Sequence, residues 1–189
     1  MDVVTLEQIL TKDLKGKVVC FPTDTVYGVG ALIDDEEAIN KIYYLKNRDL
    51  SKPLAVLTGT KEISQYVTEQ SDFSKQLIDK YWPGALTLIY KKSNLISDKV
   101  TSGYDTVGLR MPNSKIALTI LNHFGLLATT SVNISGNTPI NDVDEIIKNF
   151  SNDIDYLVID KEQTSNISST VVDVTTENYK VLRQGDIIV

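Results

Sequence analysis

Short apolar segments alternate with amphipathic helical segments along most of this chain, and this alternation constrains its fold more than any other feature. Short apolar runs are typical of buried strands, whereas longer segments with apolar residues three or four positions apart are typical of helices. The predicted strands are Val18–Phe21, Leu54–Leu57, Leu86–Tyr90, Val107–Met111, Leu126–Thr130, Tyr156–Ile159, Thr170–Val174 and Tyr179–Leu182. Strand–helix alternation and hairpin-like pairs both occur, which predicts an α/β fold, an open twisted mixed β-sheet with helices packed on its faces.

Capping signals set the predicted helix boundaries. Asp34 precedes Glu37 by three residues, which is the spacing of a capping box, and Ser114 stands directly before another helical segment. The predicted helices run from Leu6 to Leu10 (with Gly16 as the stop), from Asp34 to about Asn47, from Ser71 to Pro83, from Lys115 to Phe124 and from Asp142 to Ile147. The polar stretch Lys161–Asn166 is predicted to be a loop.

Length, charge and hydropathy exclude several classes of protein. A chain of 189 residues with 42% hydrophobic and 23% charged residues fits one domain, expected to span residues 1–189. The net charge of −6 weighs against a dedicated nucleic-acid binder. No apolar run approaches the ~18 residues of a membrane helix, and the acidic amino terminus has no signal core. We therefore expect a cytoplasmic protein without a membrane partner.

The chain has one cysteine and one histidine. An intramolecular disulfide and a four-cysteine zinc site are excluded, and a Cys–His hydrolase is disfavoured. Cys20 lies in an apolar run and is expected to be a buried strand residue, and His123 is expected to have a structural role at a helix end.

Polar residues cluster where the predicted strands end, as ligand-binding residues do in open α/β sheets. The loop from Pro22 to Gly30 is rich in small and polar residues and is expected to form part of a small-molecule site. The other residues of this kind are Lys46, Arg48, Lys52, Arg110, Ser131, Asn133, Ser135, Ser169, Thr170 and Arg183. Cations, hydroxyls and glycine-bent loops suit a nucleoside triphosphate and a small carboxylate. The P-loop pattern is absent, and Gly28-Val29-Gly30 lacks the third glycine of a dinucleotide fingerprint.

Each of these pieces also has a purely structural interpretation. Arg110 could form a structural salt bridge, and Lys46 and Arg48 could interact with the dipole at a helix C-terminus. The segment from Ser131 to Gly136 could be only a turn whose side chains bind their own backbone.

Seven motifs, in order, resemble those of the YrdC-like threonylcarbamoyl-AMP synthase family and span residues 22 to 185. They are Pro22-Thr23-Asp24-Thr25-Val26-Tyr27-Gly28, Lys46-Asn47-Arg48 with Lys52-Pro53-Leu54, Trp82-Pro83-Gly84-Ala85-Leu86-Thr87, Val107-Gly108-Leu109-Arg110-Met111-Pro112, Ser131-Val132-Asn133-Ile134-Ser135-Gly136, Ser169-Thr170-Val171-Val172-Asp173 and Arg183-Gln184-Gly185. The resemblance implies that L-threonine, bicarbonate and ATP give threonylcarbamoyl-adenylate and pyrophosphate. The product would pass to the machinery that forms threonylcarbamoyladenosine in tRNA.

The resemblance also implies roles for particular residues. Thr25, Arg110, Ser131 and Ser169 would hold L-threonine, with Arg110 on its carboxylate. Lys46, Arg48, Lys52, Thr106, Asn133 and Arg183 would hold ATP, with Mg²⁺ on the phosphates. Catalysis would rest on positioning and electrostatic stabilisation and would need no protein nucleophile.

Departures and alternatives accompany the resemblance. Leu57 stands where some relatives carry a histidine, and Val132 replaces the usual alanine. Longer relatives add a C-terminal domain, and this chain, which ends four residues after Gly185, is expected to be the short form. One alternative is a double-stranded or ribosomal RNA-binding module without catalysis. If the chain is a synthase, any contact with RNA is expected to be weak. Another is the related carbamoyl-transfer domain of hydrogenase maturation proteins, which the single cysteine disfavours.

Overall fold

The computed structural model describes residues 1–159 and 164–189, so the first three residues of the predicted loop Lys161–Asn166 lie outside the described part. The strands are β1 (Asp2–Val4), β2 (Val19–Phe21), β3 (Gly28–Leu32), β4 (Ala55–Leu57), β5 (Leu86–Lys91), β6 (Thr106–Arg110), β7 (Leu127–Ser131), β8 (Tyr156–Val158), β9 (Thr170–Asp173) and β10 (Lys180–Arg183). The helices are α1 (Leu6–Ile9), α2 (Glu36–Leu45), α3 (Asp72–Tyr81), α4 (Asp98–Thr101), α5 (Lys115–Phe124) and α6 (Val143–Phe150). No helix in the described ranges is long and apolar enough to cross a membrane.

All of these strands join one mixed sheet in the order β1-β8-β2-β3-β7-β4-β6-β5-β9-β10. The pairs β1/β8, β2/β8, β4/β6 and β5/β9 are parallel, and the other neighbours are antiparallel. The predicted open, mixed sheet is therefore confirmed. Because strands from both halves of the sequence alternate across it, residues far apart in the chain become neighbours.

Helices pack on both faces of this sheet. Phe21, Leu57 and Leu127 share one buried apolar cluster with residues of α1 and α5. Their chain neighbours Cys20, Val56 and Ala128 belong to a second cluster, which includes residues of α2, α3, α4 and α6. Because side chains alternate along a strand, the two clusters lie on opposite faces. The prediction that Cys20 is a buried strand residue is confirmed.

Side-chain caps explain where most helices begin. Ser71, Ser114 and Asp142 each accept a hydrogen bond from a backbone N–H in the first turn, as predicted. The cap of α2 is Asp35 and not Asp34, since Asp35 accepts from the N–H of Ala38 at 3.0 Å and also from the N–H of Gly16. The first helix ends at Ile9, well before Gly16, and α6 continues to the buried Phe150.

The last three residues of the predicted loop Pro22–Gly30 belong to strand β3, which corrects the sequence-based assignment. Residues of β3 pair with β2 on one side and β7 on the other, with Gly28 opposite both Phe21 and Ser131. Gly30 lies opposite Thr129, and a Cβ added to Gly30 would approach Thr129 Cγ2 to 2.7 Å. Neither glycine therefore lies in a turn, and Gly30 allows close packing of β3 against β7. The sequence also did not predict the short elements β1 and α4, because three or four residues are too few to show the hydrophobic periodicity of a strand or a helix.

The close approach at Gly30 predicts a stability difference between two glycine substitutions in the same strand. Gly30→Ala should lower the free energy of unfolding by about 1–3 kcal/mol, since Thr129 or the Ala128 carbonyl must move. Gly28→Ala is the matched control, because its nearest neighbour would be 3.8 Å away. Denaturant unfolding of both variants measures the difference, and equal stabilities would contradict the packing described here.

Candidate active site on the open face of the sheet

A cavity of about 280 Å³ lies on the face of the sheet that carries α1 and α5. It extends across β3, β7, β4, β6, β5 and β9, where Thr129 pairs with Ala55, Ala55 with Gly108, and Gly108 with Ile89. Because the residues at these positions are small, they leave open space above the sheet. Larger apolar side chains at the same positions would have to be covered by a helix. Its polar lining consists of Thr23, Thr25, Arg48, Thr87, Arg110, Thr129, Thr130, Ser131, Ser168, Ser169 and Arg183.

The cavity contains six of the ten residues predicted to bind ligands. All four candidate threonine contacts line it, namely Thr25, Arg110, Ser131 and Ser169, together with the candidate ATP contacts Arg48 and Arg183. Lys46, Lys52, Thr106 and Asn133 are not among its lining residues. The ligand roles of all ten residues stay predictions. The sequence predicts that the ligand-binding residues cluster at strand ends. This describes the cavity only in part, because the cavity also extends over the face of the sheet.

Arg110 is held in place by three hydrogen bonds. Its Nε donates to the Gly84 carbonyl at 3.0 Å, Nη1 donates to Thr25 Oγ1 at 2.8 Å, and Nη2 donates to Asp24 Oδ1. The side chains of Arg110 and Asp24 are 8% and 16% exposed, so the salt bridge is largely shielded from water. Burial lowers the pKa of Arg110, Asp24 opposes that shift, and Arg183 adds to it. The structural salt bridge considered above thus exists, and the same guanidinium also lines the cavity.

The loop that carries Thr25 is anchored from several directions. The backbone N–H groups of Ser165 and Asn166 donate to the carbonyls of Asp24 and Thr25 at 2.9 and 2.8 Å. Asn141 Oδ1 accepts from the Tyr27 N–H, and Asn141 Nδ2 donates to Asn166 Oδ1 at 2.6 Å. Thr25 is 1% exposed, so its hydroxyl position is determined by the protein and not by solvent.

Ser169 and Arg183 form the opposite wall. Arg183 donates from Nε to the Ser169 carbonyl at 3.0 Å and from Nη2 to Ser169 Oγ at 3.1 Å. Thr87 Oγ1 lies 2.8 Å from Ser169 Oγ. A Cβ on Gly185 would collide with the backbone of Ser168 to Thr170, so glycine is required where the chain after Arg183 crosses this segment.

Lys46 lies behind the cavity wall and is 1% exposed. Its Nζ donates to the Ser131 carbonyl and, at 2.7 Å, to Asn133 Oδ1. Asn133 Oδ1 also accepts from Ser131 Oγ, and Asn133 Nδ2 donates to the carbonyls of Ile134 and Asn137. The side-chain amide of Asn133 is therefore fully engaged by the protein. Burial, with a contribution from Arg48, lowers the pKa of Lys46 to about 7.

Arg48, Lys52 and Thr106 occupy the margins. Arg48 donates from Nε to the Lys52 carbonyl at 3.0 Å and from Nη2 to the Pro53 carbonyl at 2.9 Å, which directs it along the cavity rim. The Lys52 side chain is exposed. Thr106 is two residues before Gly108 on β6, so it lies on the same face beyond the lining residues.

The electrostatic character of the cavity favours anions. Arg48, Arg110 and Arg183 line it, whereas none of the lining residues in the described part of the chain is an aspartate or glutamate. Burial lowers the pKa of each of these three arginines. No three His, Cys, Asp or Glu side chains in residues 1–159 and 164–189 form a group suited to a metal ion. Such a site can bind carboxylate or phosphate through side-chain cations and hydroxyls.

Sequence reasoning missed part of the wall. Thr87 and Thr129 lie on β5 and β7 and line the cavity, as does Leu57, the residue at the histidine position of some relatives. The alternation Leu86-Thr87-Leu88 was the available signal, because both leucines are fully buried and Thr87 must face the other way. Asn141 had no recognisable signal, since its role depends on contacts with Tyr27 and Asn166.

The buried Lys46 predicts a particular dependence of stability on pH. The folded-state pKa of about 7 lies below the ordinary value of 10.5, so between these values the unfolded chain binds more protons. The free-energy cost of burying the charged Lys46 ammonium is fully present below pH 7. As the pH rises towards 10.5, the free energy of unfolding increases by up to ~1.4 kcal/mol per pH unit. Wild type should therefore gain stability relative to Lys46→Met over this range in denaturant titrations. Lys15→Met, at an exposed position, controls for loss of one charge; parallel profiles for wild type and Lys46→Met would refute the prediction.

Comparison with known proteins adds independent support for the family. The Sua5/YciO/YrdC family model, described as telomere recombination, matches residues 14–185. The putative threonylcarbamoyl-AMP synthase of Methanocaldococcus jannaschii is 35% identical over 182 residues, which cover 95% of this chain and 85% of the relative. The threonylcarbamoyl-AMP synthase of Pyrococcus abyssi is 34% identical over 173 residues, 90% of this chain. The chain spans about half the length of that relative, 51%.

The solved structures agree with the sequence matches. The crystal structure of Pyrococcus abyssi Sua5 complexed with L-threonine superposes with a TM-score of 0.92 at 30% identity, covering 98% of this chain and 58% of that one. Fold, motif order and sequence identity therefore agree, and this chain belongs to the Sua5/YciO/YrdC family.

Proposed function

We propose that this chain is a threonylcarbamoyl-AMP synthase that forms threonylcarbamoyl-adenylate and pyrophosphate from L-threonine, bicarbonate and ATP. Two relatives carry the name of this activity, and the Pyrococcus abyssi structure contains L-threonine. The reaction transfers an adenylyl group, so the enzyme would be a nucleotidyltransferase. Its product would serve the threonylcarbamoyl-transfer step on tRNA.

The observation that carries this proposal is the convergence of distant motifs on one cavity. Thr25, Arg110, Ser131 and Ser169 come from four separate segments, yet all line the same space. Arg48 and Arg183 line it as well, which places two further cations within one cavity. A small amino acid and a polyphosphate together need this combination of hydroxyls and cations.

For L-threonine, the geometry suits recognition of the carboxylate by Arg110. Three of the five guanidinium N–H groups already donate to the protein, which fixes the orientation of the group. The hydroxyls of Thr25, Ser131 and Ser169 lie around the same cavity and can bind the polar groups of the amino acid. Leu57 and Val26 supply apolar wall for its methyl group.

For ATP, we propose direct phosphate contacts from Arg48 and Arg183, with Lys52 and Thr106 at the margin. Lys46 and Asn133 bind each other and Ser131, and so support the wall from behind. Mg²⁺ would enter as part of the ATP substrate, held by phosphates and water.

The chemical step follows from these assignments. The threonine amine and bicarbonate condense to a carbamate and water. A carbamate oxygen then forms a bond to the α-phosphorus, and the bond from that phosphorus to the leaving pyrophosphate breaks. Negative charge builds on the phosphate oxygens, and Arg48 and Arg183 are suited to stabilise it. Neither Cys20, which is buried in β2, nor His123 lines the cavity, so positioning and charge stabilisation would supply the catalysis.

Detection of the adenylate product by mass spectrometry tests the proposed function. The purified chain should form it only when L-threonine, bicarbonate and Mg-ATP are all present, with matching release of pyrophosphate. Equal pyrophosphate release without threonine, or no product in the complete mixture, would refute the assignment. Steeply salt-dependent RNA binding without any product would support the alternative of an RNA-binding module.

Arg110→Ala should weaken L-threonine binding far more than ATP binding. Loss of a charge-assisted hydrogen bond costs about 1.5–3 kcal/mol, or roughly a 10- to 150-fold loss of affinity. Titration calorimetry with each ligand, on protein shown to be folded by thermal melting, measures both effects. Equal losses for the two ligands, or no loss for threonine, would contradict the carboxylate assignment.

Arg48→Ala should give the reciprocal result and chiefly impair the use of ATP. The side chain lies on the cavity rim and lacks a carboxylate partner in the described residues, so its charge is available to a phosphate. We expect the KM for ATP to rise about tenfold or more, with a much smaller change for threonine. Steady-state kinetics with each substrate varied in turn checks this; an unchanged KM for ATP would be the contrary outcome.

A further inference from the structure

The three arginines that line the cavity differ in how their charge is balanced. Within residues 1–159 and 164–189, Arg110 forms a salt bridge, with Asp24, whereas Arg48 and Arg183 form none. Arg48 and Arg183 instead donate to carbonyls and, for Arg183, also to a hydroxyl. One arginine of the site is therefore locally neutralised, and two keep a net positive charge.

Asp24 acts from behind Arg110. It does not belong to the cavity lining, while Arg110 does. The Asp24 carbonyl accepts from the Ser165 N–H at 2.9 Å, so the backbone that carries the carboxylate is itself fixed. Asp24, Gly84 and Thr25 together accept hydrogen bonds from all three guanidinium nitrogen atoms. This leaves the group little rotational freedom.

We propose that Asp24 is a positioning residue that makes Arg110 selective for a carboxylate over a phosphate. A fixed guanidinium can form directed hydrogen bonds to a planar carboxylate. Its balanced charge offers a polyphosphate little attraction, so phosphates are left to the uncompensated Arg48 and Arg183. Asp24 thereby keeps the amino-acid end of the cavity free of nucleotide phosphate and of product pyrophosphate. The identity of the amino acid as L-threonine rests on the proposed function.

Asp24→Asn is the most informative substitution, because it keeps the size of the side chain and a carbonyl acceptor while it removes the charge. We expect L-threonine to bind about tenfold more weakly and pyrophosphate to bind several-fold more tightly in titration calorimetry. In kinetic assays, pyrophosphate should become a competitor of threonine. Asp24→Glu keeps the charge and should retain the weak pyrophosphate binding of wild type.

Asp155→Asn is the matched control. Asp155 forms a partly buried salt bridge with Lys17 at 3.0 Å beside the N-terminal end of β2 and does not line the cavity, so its loss should change neither affinity. A purely structural role for Asp24 would weaken both ligands or lower thermal stability without a gain in pyrophosphate affinity. That result, or a threonine affinity in Asp24→Asn within twofold of wild type, overturns the proposal.

The arginine side-chain NMR signals separate this inference from the proposed function. Restricted rotation of the Arg110 guanidinium should give resolved, slowly exchanging Nη–H signals in wild type, assigned with Arg110→Lys, and these should be lost in Asp24→Asn. If wild type shows them but binds no L-threonine, the proposed function fails while the positioning role of Asp24 stands. If they are absent in wild type or persist in Asp24→Asn, the positioning role is wrong whatever the substrate.

Discussion

The buried guanidinium of Arg110 is the interaction on which the rest of the site depends. A desolvated cation is costly unless its donors and charge are matched, and here a carbonyl, a hydroxyl and a carboxylate match them. These acceptors belong to the turn at Gly84 and to the loop at Asp24 and Thr25, which thereby become fixed to the end of β6. The geometry of the cavity wall follows from satisfying this one buried charge.

The cavity itself exists because one face of the sheet is only partly covered. Leu57 and Leu127 pack in the cluster that contains α1 and α5, whereas further along the same face Ala55, Gly108 and Thr129 present little apolar bulk. Small and hydroxyl-bearing side chains at these positions remove the driving force for another helix to cover the sheet. The same substitution of polar for apolar residues provides both the open space and its hydrogen-bonding groups.

The sequence predicted the features that depend on local chemistry and missed those that depend on distant contacts. The cap at Ser114 and helix α5 were predicted correctly, since the signal lies within a few residues. Strand β3 was taken for a loop because Gly28 and Gly30 suggest turns, and only its pairing with β2 and β7 makes it a strand. The burial of Lys46 could not be foreseen either, because its acceptor at Ser131 lies 85 positions away.

The interleaved strand order has a consequence for how the protein acquires its site during synthesis. In the sheet, β7 and β4 separate β3 from β6, so Thr25 and Arg110 can be held together only after β7 has formed. The wall at Ser169 and Arg183 comes from β9 and β10, later still in the chain. Such long-range pairing forms slowly and carries a high entropic cost of loop closure. A nascent chain that lacks these strands would lack Ser169 and Arg183, and also the contacts from Ser165 and Asn166 that anchor the loop of Asp24 and Thr25. Ligands that bridge both walls would then bind only the finished fold, and would stabilise it by mass action.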